Sequence, residues 1–441
     1  MAVIELKPVV ARPASGSAEP PAYETLAARF RPLFAEIADA AVRREIEREL
    51  PYDAVAALAR AGFGATRLPV AQGGAGATLT QLFRLLIELG EADSNLVQTL
   101  RAHFAFVEGR LNHPDTATNA RWFERVAAGE LFGAAMAERS TGTETLVKLT
   151  REGERWRLDG EKYYSTGTLY ADWIHAAAAD GDERLSVIVS ATAPGVSRID
   201  DWDGFGQRLT GSGTTRFEDV TVAEDQILRR FTAGEFKADT YLTAFYQQFH
   251  LAAFAGIGRA VLRDAVAFVR AKTRTFGVPG TTDVAADPLV QRVVGRLGSL
   301  SFALDSIVGG VSERLEAAHA AWRYGADPDD PAFLAADIAA YHGQQLAIDL
   351  VLEATGLLFE VGGASATQEA RRLDRHWRNA RVIASHNPAI QRERALGDYH
   401  LNGTNPRAAW AERFAKARDE AAAEGAATDG SAGAVPASRE G

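Results

Sequence analysis

RWRLDGEKYYSTG, residues 155–167, decides how the rest of the chain is read. Arg155-Trp156-Arg157-Leu158 alternates with the period of two that marks a half-buried strand. Asp159-Gly160 is a hairpin signal, and Glu161 to Thr166 reads as the return strand. The same short period continues outward from Glu130 to about Leu228, through LSVIVSA (Leu185 to Ala191) and TTRFEDVTV (Thr214 to Val222). A small, mainly antiparallel β domain is therefore expected in mid-chain.

On both sides the period lengthens to that of helices. From Tyr23 to Gly129, PYDAVAALARAGF places Val55, Leu58 and Ala59 at helical spacing, and RLPVAQGGAGAT breaks the pattern as a loop. After Thr240 come Tyr241–Lys272, Pro288–Trp322 and Pro331–Phe359, interrupted by PGTTDVAAD and GADPDD. Such long apolar helices need burial, which a four-helix bundle supplies. The fourth is either Arg372–Ala384 or the segment after Pro388. The expected organisation is a disordered tail over 1–20, a helical domain over 21–129, a β domain over 130–235, a helical bundle over 236–418 and a second disordered tail over 419–441. The tails are rich in Ala, Gly, Pro and Ser and carry few large hydrophobes.

Composition narrows the function. A net charge of −10 disfavours nucleic acid and anionic membranes as partners, and no run of residues is apolar enough to span a bilayer. With no cysteine there is no disulfide, thiolate nucleophile or Cys-ligated metal. The histidines form no metal-ligand spacing, so no metal is expected, and the reading is cytoplasmic.

Four segments carry a resemblance: AMAERSTGTE (Ala135 to Glu144), LDGEKYYSTG (Leu158 to Gly167), GQRLTGSGTTRFEDVTV (Gly206 to Val222) and RNARVIASHNPAIQRERALGDY (Arg378 to Tyr399). In this order they resemble the acyl-CoA dehydrogenase family, whose fold is a helical domain, a β domain and a C-terminal four-helix bundle. KYYSTGTLYADWI, DDWDGFGQRLTGSGTT and the RHWRNAR…SHNPAI…GDYHLNG pattern resemble more closely its flavin-dependent monooxygenase branch, which includes dibenzothiophene monooxygenase and the alkanesulfinate and sulfone-utilisation enzymes.

Where the family's dehydrogenases carry an aromatic residue and then a catalytic glutamate, this chain has His386-Asn387. The resemblance implies reduced FMN supplied by a separate NAD(P)H:flavin reductase, O2 as co-substrate, a flavin hydroperoxide-type intermediate, and a small organosulfur substrate. FAD is the less favoured cofactor, because VGGASAT (Val361 to Thr367) lacks the glutamine and tyrosine that grip adenine in the dehydrogenases. A homotetramer is also implied. The alternatives are an FAD-dependent acyl-CoA dehydrogenase and a catalytically silent flavin-binding or assembly protein.

The same resemblance nominates the site residues. His386 is the leading catalytic candidate, a hydrogen-bond donor whose pKa its neighbours can tune. Asn387-Pro388 reads as a helix N-cap followed by proline at the first helical position, with Asn387 also placed at the substrate pocket. Ser165 is placed beside the flavin as a catalytic and cofactor-binding residue, with Thr166 on the opposite strand face. His103, on a helix of the first domain, is the second histidine candidate. Met136, Arg274, Phe276, Gly362, Gly363 and Ser365 are the remaining cofactor-binding candidates, and Tyr163 and Trp202 wall the pocket. His250 and the other histidines have no comparable support.

Overall fold

The computed structural model describes residues 20–113, 116–139, 147–181, 183–232, 241–272, 283–323 and 330–407. Apart from Pro20, the two tails lie outside the described residues, as do Arg274 and Phe276. Helices α1 (Tyr23–Ala28), α2 (Arg31–Glu47), α3 (Tyr52–Arg60), α4 (Leu79–Leu111) and α5 (Thr116–Ala127) come first. Strands β1 (Phe132–Ala135), β2 (Lys148–Glu152), β3 (Arg155–Lys162), β4 (Trp173–Asp180), β5 (Glu183–Ser190), β6 (Val196–Ile199), β7 (Thr214–Val222) and β8 (Ile227–Thr232) follow. The chain then returns to helix with α6 (Leu242–Arg270), α7 (Pro288–Arg323), α8 (Pro331–Leu357), α9 (Arg375–Ala384) and α10 (Ala389–Asn402). Both candidates for the last helix exist, as α9 and α10.

The strands form one sheet in the order β6-β7-β3-β2-β4-β5-β8. It is mixed, because β1 and β2 both run parallel to β4, whereas its remaining pairs are antiparallel. The hairpin turn is not at Asp159-Gly160. It lies at Gly153, with φ of 63°, between the paired residues Glu152 and Arg155. Asp159-Gly160 sits inside β3, where the register against β7 shifts between Leu158 and Gly160 and Asp159 Oδ1 accepts the Asp219 amide at 2.7 Å. A bulge and a tight turn call for the same residues, since both need a glycine at positive φ. The return strand also stops early. β3 ends at Lys162, and Tyr164, at φ of 59°, reverses the chain so that Ser165 and Thr166 occupy a turn.

One apolar core runs through the N-terminal helices and the C-terminal bundle, joined along α4 and α6. There Phe83 meets Phe245 and Phe249 edge-on at 5.5 and 5.2 Å. The two helices cross where Gly90 faces Gly256. A β-carbon on Gly256 would lie 2.4 Å from the Gly90 carbonyl carbon, so nothing larger than glycine fits that approach. α4 is broken at Asp93 (φ −159°, ψ 108°), which in effect starts a second helix. Asp93 Oδ1 accepts the Asn95 amide at 3.0 Å, and its other oxygen pairs with the buried Arg44 at 3.1 Å.

That second half of α4 is where the β sheet's loops dock. Gln207 donates to Ser94 Oγ at 3.1 Å and the Leu209 amide to Asn95 Oδ1 at 3.3 Å. Gly167, at φ of 83°, lets its turn reach the Thr99 carbonyl.

Candidate functional site

Two residues beyond Thr99, Arg101 leaves α4 on the side facing the α9–α10 connection. Its Nη2 lies 3.0 Å from His386 Nε2. Guanidinium can only donate, so His386 Nε2 accepts and the ring proton sits on Nδ1, 3.2 Å from Asn387 Oδ1. Asn387 Nδ2 in turn donates to Gln247 Oε1 at 2.7 Å, and Arg392 donates to that same oxygen. Arg392 also donates to Gln344 Oε1 at 2.5 Å, while Gln344 Nε2 donates to the Asn387 carbonyl at 3.1 Å. The two donors on Gln247 fix its amide orientation, that fixes Asn387, and Asn387 fixes the histidine tautomer.

The His250 ring lies against His386 with centroids 4.5 Å apart, and its Nε2 is buried without a hydrogen-bond partner. His386 and Tyr246 keep solvent-accessible surface although protein closes round most of each side chain, as expected of residues lining a recess. Burial first, and then the Arg101 charge, holds the His386 pKa down to about 3. His250 is driven well below the usual histidine value, by burial and then by His386 and Arg101. Both rings are neutral at pH 7. His386 therefore offers an acceptor at Nε2, and its one proton is already directed at Asn387, which revises the expectation of a donor.

The expected cap at Asn387 is also not found. The N-cap of α10 is Pro388, with no side-chain cap bond, because the Asn387 amide is held by His386 and Gln247 instead. His103 does not join the recess. Its Nε2 donates to the Gly64 carbonyl at 3.0 Å and its Nδ1 accepts the Phe132 amide at 3.3 Å, so the ring ties α4 to β1 and to the loop after α3. Arg101 and His103 are two residues apart, hence about 200° apart around the helix. On α4 the face toward His386 therefore carries Arg101, and His103 lies on the opposite side.

The β-sheet side contributes a second group. Met136 follows β1 and is exposed, and the next carbonyl, Ala137, accepts the Tyr163 amide at 3.0 Å. Tyr163 is buried beneath the Arg139 guanidinium, 3.5 Å from its ring, with Trp202 at 6.4 Å. Trp202 is held by its indole donating to the Gln207 carbonyl at 3.0 Å. Ser165 is buried and its Oγ has no partner, whereas Thr166 Oγ1 bonds Ser212 Oγ at 2.9 Å. Gly362, Gly363 and Ser365 stand apart, just past the end of α8. Gln344 lies thirteen residues before the end of that helix, which puts them roughly 20 Å from the recess. There Ser365 Oγ donates to the Gly362 carbonyl at 3.0 Å.

Arg101, Tyr246, Gln247, His250, Gln344 and Arg392 join this cluster without having been singled out from the sequence. A signal was present for three of them. FYQQFH interrupts the apolar helix LTAFYQQFHLAAFAGIG with polar groups, Tyr246 and His250 share a face at i, i+4, and buried polar residues are the informative ones.

The comparisons with known proteins agree with this architecture. The acyl-CoA dehydrogenase N-terminal domain matches residues 22–130, and the acyl-CoA dehydrogenase C-terminal domain matches residues 249–390. A probable FMNH2-dependent monooxygenase of Pseudomonas putida, SfnC, is 28% identical over 391 residues, which are 85% of this chain and 94% of that protein. A dibenzothiophene monooxygenase of Mycolicibacterium goodii is 30% identical over 262 residues, 56% of this chain and 62% of its own length. The solved structure of methanesulfinate monooxygenase MsuC from Pseudomonas fluorescens matches with a TM-score of 0.77 and 26% identity, covering 86% of this chain and 97% of that one. With its helical ends matched to both domains of one family, and its fold reproduced in a solved relative, this chain belongs to the acyl-CoA dehydrogenase family.

Proposed function

We propose that the protein is an FMNH2-dependent monooxygenase that transfers one oxygen atom of O2 to a small organosulfur compound, a sulfide, sulfone or alkanesulfinate, in sulfur acquisition. The observation that carries this reading is the composition of the recess. The hydrogen-bonded cluster of Arg101, His386, Asn387, Gln247, Gln344 and Arg392 contains no carboxylate. An acyl-CoA dehydrogenase needs a base there to take the α-proton of a thioester. Asn387 cannot serve, and His386, neutral with Nε2 engaged by a guanidinium, is a poor substitute. The alternative reading as an FAD-dependent dehydrogenase is weakened accordingly.

FMN fits the residues present. Buried hydroxyls are ordinarily hydrogen-bonded, so the partnerless Ser165 Oγ in the turn after β3 suits a polar group from outside the chain. Met136, Tyr163 and Thr166 flank that turn. Bound in reduced form, FMN supplies the two electrons with which O2 is divided between product and water. The chain's own part is to hold the substrate against that face, keep His386 in one tautomer and exclude bulk water. The reduced cofactor comes from a separate NAD(P)H:flavin reductase in the cytoplasm. In a homotetramer the segment of Gly362, Gly363 and Ser365 would serve the recess of a second copy. Apolar residues left open on the helices, Phe302 of α7, Leu346 of α8 and Ile390 and Leu401 of α10, support such an assembly.

The test is a coupled assay with a flavin reductase, NADH, FMN and O2 against a panel of sulfides, sulfones and sulfinates, with product identified by mass spectrometry in 18O2. Incorporation of one labelled oxygen per turnover is expected. Reduction of an electron acceptor by an acyl-CoA, with no labelled product, would overturn the reading.

A further inference from the structure

The buried arginines among the described residues come with carboxylates. Arg44 pairs with Asp93 at 3.1 Å, Arg67 with Glu108 at 2.9 Å and Arg375 with Asp264 at 2.7 Å. Arg101, half-buried with its Nε enclosed, differs from them. It has no acidic partner among the described residues, its Nε is buried without a hydrogen bond, and its Nη2 meets only the neutral His386. Nearby, Arg392 spends its bonds on amide oxygens of Gln247 and Gln344, and His250 Nε2 is a further buried nitrogen with no partner. In a chain of net charge −10 the recess thus collects two guanidiniums, of which Arg392 feels the charge of Asp337 and Arg101 has no counter-ion among the described residues. Such an arrangement is costly unless an anion completes it. Burial has drawn the Arg101 pKa down to about 10, which still leaves it charged at neutral pH.

We propose that Arg101 is the receptor for a substrate oxyanion, and that within the organosulfur class the substrate is an alkanesulfinate, RSO2−, rather than a neutral sulfide or sulfone. This deepens the monooxygenase reading and rests on it. The guanidinium fork matches two oxygens on one centre. A sulfinate sulfur is pyramidal, with two oxygens, one carbon and one lone pair. Holding both oxygens on Arg101 leaves the lone pair as the free direction at sulfur, where the new S–O bond forms. The balance is RSO2− + O2 + FMNH2 → RSO3− + H2O + FMN. Sulfur is oxidised by two electrons and the flavin supplies two more, so the second oxygen atom leaves as water. A sulfone or sulfide carries no charge to answer Arg101.

Calorimetric titration of methanesulfinate into the FMN-loaded protein tests this directly, in parallel with FMN titrations of the parent, Arg101→Gln and Arg101→Lys. The parent should bind methanesulfinate. Arg101→Gln should weaken that binding by roughly 50-fold or more, as when one partner of a buried charge pair is removed. Arg101→Lys should fall between the two, because it keeps the charge and loses the fork. FMN affinity should stay within about threefold, since the anion in question is the substrate's. A parent that does not bind methanesulfinate overturns the proposal whether or not it oxygenates a neutral sulfone, and such turnover would leave the monooxygenase reading standing. Unchanged sulfinate binding in both variants also overturns it. So does a loss of FMN affinity with sulfinate binding retained, which would assign the guanidinium to the flavin.

Discussion

Replacing Asn387 by aspartate puts a charge where the structure holds an amide, and the network around it specifies the consequence. Asn387 Oδ1 lies 3.2 Å from His386 Nδ1. A unit negative charge there attracts an imidazolium by about 5 kcal/mol at an effective dielectric of ~20. Solvent reaching the recess reduces this to roughly 2–3 kcal/mol, or about two pKa units. His386 should therefore titrate near 5 instead of about 3. The substitution also breaks the chain of amides. The new carboxylate and Gln247 Oε1 would face each other as two acceptors, and turning the Gln247 amide to repair that contact would present its NH2 to the Arg392 guanidinium. Neither orientation satisfies every group, so a stability loss of ~1–3 kcal/mol is expected as well. The measurement is the pH titration of the His386 ring by long-range 1H–15N correlation in parent and variant, with denaturant midpoints alongside. A parental His386 that titrates near 6.5, or a variant whose titration moves by less than about half a unit, refutes the reasoning.

Two further outcomes follow from the packing. Gly167→Ala places a β-carbon at φ of 83° and 2.5 Å from the Thr99 carbonyl oxygen, so the Ser165 turn must lift off α4. A loss of about 2–4 kcal/mol in urea unfolding is expected, and a loss below about 0.5 would show that the contact is not tight. Acid should destabilise the protein through histidines buried in neutral form. Burial holds His103 at about 4 and His175 at about 3, against an unfolded value near 6.5. The folded state thus binds fewer protons below pH 6.5, so its stability is full above that pH and falls as pH drops toward 4. Each histidine costs roughly 2 kcal/mol at pH 5 relative to pH 8, and Asp337, pushed up to about 6 by burial, returns about 1 kcal/mol. These three groups alone give a net loss of ~3 kcal/mol between the two pH values in denaturant curves, and His376, His386 and His250, also held low, add to it in the same direction. Coincident curves would contradict the burial.

The legible parts of the sequence were those in which one physical requirement has one residue signature. The helices α6, α7 and α8 were read to within about two residues at the ends because Pro288 and Pro331 can begin a helix but not lie inside one. β7 was read over its full length, Thr214–Val222, from its alternation. Errors came where a signature serves two structures. Asp159-Gly160 has the composition of a turn, and the β3–β7 bulge uses it. Asn387-Pro388 has the composition of a cap, but the amide found stronger partners across the bundle in His386 and Gln247. The recess itself was half legible. Its two ends come from α4 and from the α9–α10 connection, 285 residues apart, and only the second carries a motif. On α4 the histidine is conspicuous in sequence and ties the helix to Gly64 and Phe132, whereas Arg101, which faces His386, reads like any charged helix residue. Nothing in one sequence says that Arg101 packs against His386 without a carboxylate.

The two departures from a dehydrogenase site are physically one. An acidic residue at position 387 would stand 3.2 Å from the His386 ring, which itself touches Arg101 at 3.0 Å. Its charge would be felt by Arg101 across one imidazole and by Arg392 across one amide, so the recess would lose one unit of positive charge and gain a base. Asparagine keeps the shape of an aspartate, accepts from His386 and donates to Gln247, and carries no charge. The base disappears, and in the same step Arg101 is left without a counter-ion. A site so altered cannot draw a proton from a thioester, and it gains a place for an anion that brings its own oxygens. On this view Asn387 sets the charge of the recess and Arg101 uses it, so the effects of Asn387→Asp and Arg101→Gln on sulfinate binding should be far from additive.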